Sequence, residues 1–340
     1  MLLKGLAASA VPGPILPNPM PDLAASVYQP DVLGPDFEQC ILPQPADYEG
    51  PVHSTLVRLR PRGPAAKAVL YVHGFADYFF QREMALRYQQ HGYRFYALDL
   101  RKYGRSWLPH QHPNHVRDLP EYFADLDAAL AVVRAEGSGP ILLAGHSTGG
   151  LIAALYLRDG AGRAQVSALF LNSPFLAMNQ PWALRHVGVP LMAALGRFAP
   201  ELPLPNKLPP EYVRSLHRSY DGEWDFHLPW KPLAAFPVVA GWLRAIHAGQ
   251  QRVRQGLGLQ LPILVLHSDR TVQTPGWSDE YFRADGVLNV RDIARLAPRL
   301  GPHVTTQAIA GGMHDLMLSR LPAREAAYQA LFAWLDTTFA

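Results

Sequence analysis

Cysteine is nearly absent. The one residue present, Cys40, excludes any disulfide within the chain, so no compartment can be read from bridges. No apolar run reaches membrane-spanning length, because the longest are broken by glycine, proline, histidine or asparagine. Charge of one sign is lacking as well: 31 Lys and Arg against 28 Asp and Glu leave a net +3, too little to imply a nucleic-acid partner. Charged residues make up 17% of the chain and hydrophobic ones 49%, which excludes a disordered chain and describes a globular interior. With 340 residues the chain is too long for one minimal core and short for two independent domains, so one large α/β domain with an insertion is expected. Met1–Ala10 bears a faint likeness to a signal sequence, but its apolar part is short and follows a single lysine. The expectation is a cytoplasmic protein, with export as the weaker reading. No internal repeat is visible, and nothing in the sequence points to an oligomeric state.

What is present is organised around Ile141–Gly150. The apolar run Ile141-Leu142-Leu143-Ala144, closed upstream by Pro140, reads as a buried parallel strand. It enters Gly145-His146-Ser147-Thr148-Gly149, a match to G-x-S-x-G, and Leu151–Leu157 continues as an uninterrupted helix former. Strand, sharp turn and helix form the context in which this pattern holds out a serine hydroxyl. Such a turn strains the serine backbone and crowds its neighbours, which is why glycine suits both flanking places. The helix amino terminus below it favours negative charge.

The chain before and after reads as alternating strands and helices. Residues up to about Gly50 are rich in proline, lack a helical or strand period, and read as an extended arm. Val52–Leu59 alternates as an early antiparallel strand, and Ala68–Val72 is a buried strand ending in His73-Gly74-Phe75-Ala76-Asp77-Tyr78. A helix over 81–90, a strand over 93–98, a loop from Asp99 to Ser106 and a helix over 122–135 lead to the strand before Ser147. Val166–Leu171 is a further strand. Its alternation then stops until Ile263–Leu266, and the stretch between is rich in proline, tryptophan and leucine. Helical pieces are expected there over 190–198 and 236–253, with an aromatic cluster of Trp224, Phe226, Trp230 and Phe236. A helix over 290–297, a strand over 303–309 and a closing helix over 323–335 complete the chain. The fold class is α/β: a doubly wound, mostly parallel sheet with an inserted helical cap. The boundaries are an arm over 1–50, a first core part over 51–175, the cap over 176–260 and a second core part over 261–340. Right-handed crossovers place the carboxyl ends of the strands on one edge.

A serine hydroxyl is a poor nucleophile until a base takes its proton, and that base needs an orienting acid. In chain order the partners of Ser147 should be an acid and then a histidine. His314, just past the last strand in Gly311-Gly312-Met313-His314-Asp315, meets the second requirement. Two acids compete for the first. Asp269 lies almost on the end of the strand over 263–266, where its side chain has little freedom to turn. Asp285, in Arg283–Val290, has a more flexible approach and Gly286 to ease the bend, although a turn or helix-entry role would explain it equally well. The place a few residues beyond the strand, where an acid would ordinarily sit, is Thr271; Asp279 and Glu280 have weaker claims. The donors expected at a developing oxyanion are the backbone N–H groups of Phe75 and Thr148. His73, Asp99 and Arg101 are expected to brace loops. His110, His112 and His115 lie in a proline-rich loop without a carboxylate or cysteine at ligand spacing, and read as a solvated loop, not a metal site.

The segments His73–Tyr78, Asp99–Ser106, Gly145–Gly149 and Gly311–Asp315 together resemble the α/β-hydrolases of the monoacylglycerol lipase and lysophospholipase group, also labelled serine aminopeptidase-like. The resemblance runs from about Pro51 to the end and is weakest in the cap. It implies a catalytic serine, a helical cap, no cofactor, and small-molecule ester substrates with an acyl chain, whose handling would bring transient contact with a membrane surface. Where that group carries Gly-x-x-Asp after the strand, this chain has Ser268-Asp269-Arg270-Thr271. Relatives with a similar ending favour Asp-x-Val-Leu, here Asp285–Leu288, so Asp285 is the expected acid and Asp269 the alternative. A serine carboxylic-ester hydrolase with an acyl-enzyme is the expectation, with Trp230 and Phe236 as walls of an acyl pocket. The rivals are an amino-terminal peptidase, for which the cap offers little acid beyond Glu223 and Asp225, and a non-catalytic binding protein of the same fold.

Overall fold

The computed structural model describes residues 27–63, 65–137, 139–204 and 209–340; the weak export signal at Met1–Ala10 lies outside them. The chain enters through β1 (Gln29–Asp31), β2 (Gly34–Asp47) and β3 (Gly50–Leu59), paired antiparallel. Strands and helices then alternate through β4 (Lys67–Val72), α1 (Arg82–Gln90), β5 (Tyr93–Asp99), α2 (Phe123–Glu136), β6 (Ile141–His146), α3 (Thr148–Asp159) and β7 (Val166–Asn172). An excursion follows, with α4 (Val189–Leu195), a small ladder of β8 (Pro203–Leu204) with β9 (Val238–Val239), α5 (Pro210–Leu216) and α6 (Ala240–Gln255). The sheet resumes at β10 (Ile263–Ser268), and α7 (Val290–Leu296), β11 (Val304–Ile309) and α8 (Leu321–Thr338) end the chain.

Among the described residues the main sheet has nine strands in the order β1-β2-β3-β5-β4-β6-β7-β10-β11, and every pair from β5 to β11 is parallel. Its strands read as continuous apolar runs because helices cover both faces. In β4, Leu70 and Val72 join the core beneath α2, α3 and α6, while Val69 and Tyr71 join the one beneath α1 and α8. Ile141 and Leu143 of β6 divide from Leu142 and Ala144 in the same way.

Three expectations need correction. The proline-rich arm is part of the sheet from Gln29 onward, as β1 and β2. Pro43 and Pro45 hide the strand in the sequence, yet beyond Gln39 only β3 pairs with β2 among the described residues, and an edge without a ladder partner tolerates a residue without an N–H. The helix expected from Phe236 begins at Ala240, because Pro237 interrupts it and Val238–Val239 pair with β8. The loop of three histidines is not simply solvated. His115 and Asn114 are buried, and His112 Nδ1 meets Glu49, which reaches it from the β2–β3 turn at 2.6 Å.

Candidate active site

The turn after β6 places Ser147 at φ 51° and ψ −116°, a conformation held by its surroundings. A Cβ on Gly145 would lie 2.7 Å from the Gly149 carbonyl oxygen, and one on Gly149 would lie 2.2 Å from that of His73, so both flanks require glycine. The backbone is pinned from both sides: the Ser147 N–H donates to the Asn172 carbonyl (3.0 Å), and the Ser147 carbonyl accepts from Phe175 N–H (2.9 Å).

His314 lies beside this serine, although 167 residues separate them: its Nε2 is 3.0 Å from Ser147 Oγ. Its Nδ1 is 3.0 Å from Asp285 Oδ2. A carboxylate can only accept, so the imidazole carries its proton on Nδ1 and turns the lone pair of Nε2 to the serine hydroxyl. All three side chains are buried. The loop bearing His314 is tied to the sheet by its neighbour: Asp315 accepts from Asn172 Nδ2 (2.7 Å) and from Gln81 Nε2 (3.2 Å). Asn172 and Gln81 are missing from the sequence reading, where the only hint is their place at a strand end and a helix start.

The two candidate acids are separated by their surroundings. Asp269 turns outward, where Oδ1 accepts from Gly311 N–H (3.0 Å) and Oδ2 pairs with Arg270 (2.7 Å), and the bond to Arg270 holds its carboxyl below the ordinary range. Asp285 is fully buried. Its backbone pairs with Thr271, which brings it to the place beyond β10 where the acid was missing. Oδ1 accepts from the N–H groups of Val287 and Leu288, both at 2.8 Å, while Oδ2 faces His314. The turn role and the role beside His314 therefore coexist, one oxygen for each. Asp279 and Glu280 stay in a short 3₁₀ turn, with Glu280 accepting from Gln273 and Thr274 N–H.

Phe75 and Thr148, the expected oxyanion donors, flank Ser147 in one cavity wall, and among the described residues neither backbone N–H has an acceptor. Ala76, the next residue, sits at φ 47° with its N–H held by Asn114 Oδ1 at 2.9 Å, which fixes this loop. His73 braces it as expected: Nδ1 donates to the Gly74 carbonyl (2.8 Å), and Nε2 accepts from Leu100 N–H (3.1 Å). Burial lowers its pKa and keeps the ring neutral. Asp99 bonds Phe79 N–H and Arg105, and Arg101 forms a buried pair with Asp125 at 2.7 Å.

Two cavities meet at Ser147. The larger, about 400 Å³, is walled by Phe175, Met178, Val189, Met192, Leu204, Trp242 and their apolar neighbours, and among the described residues no charged one lines it. The smaller, about 60 Å³, holds His314, His146, Asp77, Lys231 and Tyr212. Trp230 and Phe236, the expected wall residues, line neither. Trp230 packs edge-on against Tyr78 (5.1 Å between centroids), and Phe236 against Trp107 (5.6 Å), so both secure the excursion to the sheet domain. Trp242, which the sequence reading passed over, serves as a wall through its contact with Phe75, 4.5 Å between centroids. Glu223 and Asp225 are occupied with Arg320, Arg324 and Arg218. Among the described residues no three His, Cys, Asp or Glu side chains gather as metal ligands would.

A mostly parallel sheet covered on both faces, with a serine on the strained turn between a central strand and its helix, defines an α/β-hydrolase. The chain belongs to the serine aminopeptidase S33 family, whose model matches residues 63–320. No curated protein sequence matches it significantly. Among solved structures it is similar to a soluble variant of monoglyceride lipase from Saccharomyces cerevisiae in complex with a substrate analog, with TM-score 0.65, 15% identity, and 93% of this chain and 97% of that one covered. It is similar too to a monoacylglycerol lipase from Paleococcus ferrophilus, with TM-score 0.60, 19% identity and coverage of 80% and 94%. A thermophilic esterase from Thermogutta terrifontis gives TM-score 0.56 at 18% identity, covering 89% of this chain and 99% of that one. At such identities these likenesses speak for the fold.

Proposed function

We propose that the protein is a serine carboxylic-ester hydrolase acting on esters with an apolar acyl chain, of the monoacylglycerol lipase or lysophospholipase kind. The observation that carries this reading is the cavity of about 400 Å³ that opens at Ser147 between Phe75 and Thr148, predominantly apolar among the described residues. In the reaction, Ser147 Oγ bonds to the ester carbonyl carbon as its proton passes to His314 Nε2. Asp285 holds the imidazolium in place, and the Phe75 and Thr148 N–H groups receive the oxyanion. The bond to the alcohol oxygen then breaks as His314 returns the proton to it. Water, activated by the same imidazole, cleaves the acyl-enzyme.

A peptidase that releases amino-terminal residues would have to hold an ammonium next to the carbonyl it attacks, on the acyl side. Among the described residues that side offers no carboxylate, and burying an unpaired charge there would be costly. The excursion serves in this reading as a cap. One side of its helical stretch around α4 lines the acyl cavity through Val189 and Met192. The other leaves Trp182 73%, Leu191 67% and Phe198 82% exposed, an apolar face suited to drawing substrate from a lipid surface. No helix among the described residues is long and apolar enough to cross a membrane.

The test is a hydrolysis profile over p-nitrophenyl esters of rising chain length, with monoacylglycerol and lysophospholipid alongside, and labelling by a fluorophosphonate probe. Activity should rise from acetate to medium chains. A steady fall with length, or an unlabelled Ser147, would refute the reading.

A further inference from the structure

The smaller cavity contains chemistry that the hydrolytic mechanism does not use. Lys231, from the segment between α5 and α6, is 3% exposed and its Nζ lies 2.9 Å from Oδ1 of Asp77, itself 1% exposed. Burial by itself would raise the Asp77 carboxyl, but Lys231 and the nearby imidazoles of His146 and His73 together outweigh it and hold the carboxyl below the ordinary carboxylate range. Among the described residues lining this cavity, Asp77 is the only carboxylate and Lys231 the only lysine or arginine, and the two charges offset each other. The Lys231 ammonium also lies 5.8, 5.7 and 5.9 Å from the ring centroids of Phe80, Tyr212 and Phe226, so rings surround it beside Asp77.

Other polar atoms here have no partner. Both ring nitrogens of His146 and Oδ2 of Asp77 are buried without a hydrogen bond among the described residues. They stand 3.8 Å apart at Nδ1 and Oδ2, too far to satisfy each other. Buried groups of this kind are costly unless something bonds to them. His314 identifies what that is. It must return its proton to the departing oxygen, so the leaving alcohol lies on the side that His314 lines. His314 lines the smaller cavity and not the larger.

We propose that Lys231, Asp77 and His146 form the leaving-group subsite and that Lys231 determines its specificity: by occupying the Asp77 carboxylate, it restricts the subsite to uncharged, hydroxyl-bearing alcohols. The proposal rests on the ester-hydrolase reading. His146 and Asp77 Oδ2 bond the hydroxyls of the alcohol. A cationic alcohol finds its counter-ion already taken and meets the Lys231 ammonium. An anionic one would have to compete with Asp77 for Lys231.

The experiment measures kcat/KM of the full chain on octanoyl esters of glycerol, choline and glycerate, which share one acyl group. The wild type should prefer the glycerol ester over both charged esters by about tenfold or more. Lys231→Met bares Asp77, and the choline-to-glycerol ratio should rise by about tenfold. Adding Asp77→Asn to that variant removes the exposed charge and should return the ratio towards the wild-type value. Ratios within one preparation are independent of how much of a variant folds, and fluorophosphonate labelling counts the competent sites. Ester turnover with no charge preference in the wild type, or with a ratio that Lys231→Met leaves unmoved, would overturn the subsite while sparing the hydrolase. The absence of all hydrolysis would overturn both.

Discussion

Asp285 divides its carboxylate between two duties, with Oδ1 closing its own turn and Oδ2 facing His314. In Asp285→Asn the amide oxygen can still accept from Val287 and Leu288, but the amide nitrogen then faces His314 and favours the wrong tautomer. Turnover should fall by roughly 10⁴-fold with the fold intact. Asp269→Asn, outside the site, should cost far less; steady-state kinetics on one ester compares the two, and the opposite ranking would reassign the acid. Ser147→Ala removes the attacking atom and should abolish turnover, as His314→Ala should by several orders of magnitude, because a hydroxyl without its base is barely nucleophilic. Unchanged circular dichroism beside full activity in the serine variant would refute the mechanism.

At the scale of elements, the β2–β3 turn is clamped to the loop after β5. Lys102 is fully buried, with its Nζ 2.7 Å from Asp47 and 2.5 Å from Glu49. Burial pushes the Glu49 carboxyl up, but the bonds from Lys102 and His112 outweigh it and bring the pKa down to about 2 from the ordinary 4.5. A carboxyl whose pKa is depressed on folding stabilises the protein above its unfolded value, and that contribution fades as the pH falls between the two values. Thermal unfolding from pH 5 down to about 2 should therefore show a steeper loss of Tm in the wild type than in Glu49→Gln, with the variant less stable at neutral pH. Equal slopes would mean that the pair carries no such linkage. The turn below the serine is equally constrained. Gly149→Ala drives a Cβ against the His73 carbonyl oxygen and should destabilise the fold by roughly 1–3 kcal/mol in chemical denaturation.

For the whole molecule, the proposed function depends on how the excursion lies over the sheet edge. Met192 lines the larger cavity, so Met192→Trp should shorten it and move the preferred p-nitrophenyl ester to shorter acyl chains while acetate hydrolysis persists. An unchanged profile would locate the acyl chain elsewhere. Trp182 and Phe198 point the other way, into solvent. Replacing both with glutamate should weaken binding to phosphatidylcholine vesicles by roughly tenfold or more, because apolar surface no longer leaves water. Hydrolysis of a soluble short-chain ester should not change; vesicle flotation and a parallel esterase assay separate the two effects.

The alternation of strands and helices from Val52 to Asn172, the turn at Ser147 and the place of His314 could be read from the sequence, because each depends on neighbours within a few residues. Apolar runs, glycines and a serine in a G-x-S-x-G turn announce themselves locally. Where the sequence left two aspartates open, the choice depends on the pairing of Thr271 with Asp285, a contact between segments that no local pattern encodes. The strands within the proline-rich arm were hidden for the same reason, since whether a proline is tolerated depends on which edge of a strand is left unpaired. The walls of the cavities were decided in the same way. Trp230, Phe236 and Trp242 are alike in sequence as large aromatics near the cap, and only the packing of the excursion against Tyr78, Trp107 and Phe75 determines which of them meets the cavity. The Lys231–Asp77 pair joins residues far apart in the chain; its strength comes from burial, which exists only once the tertiary structure has closed around it.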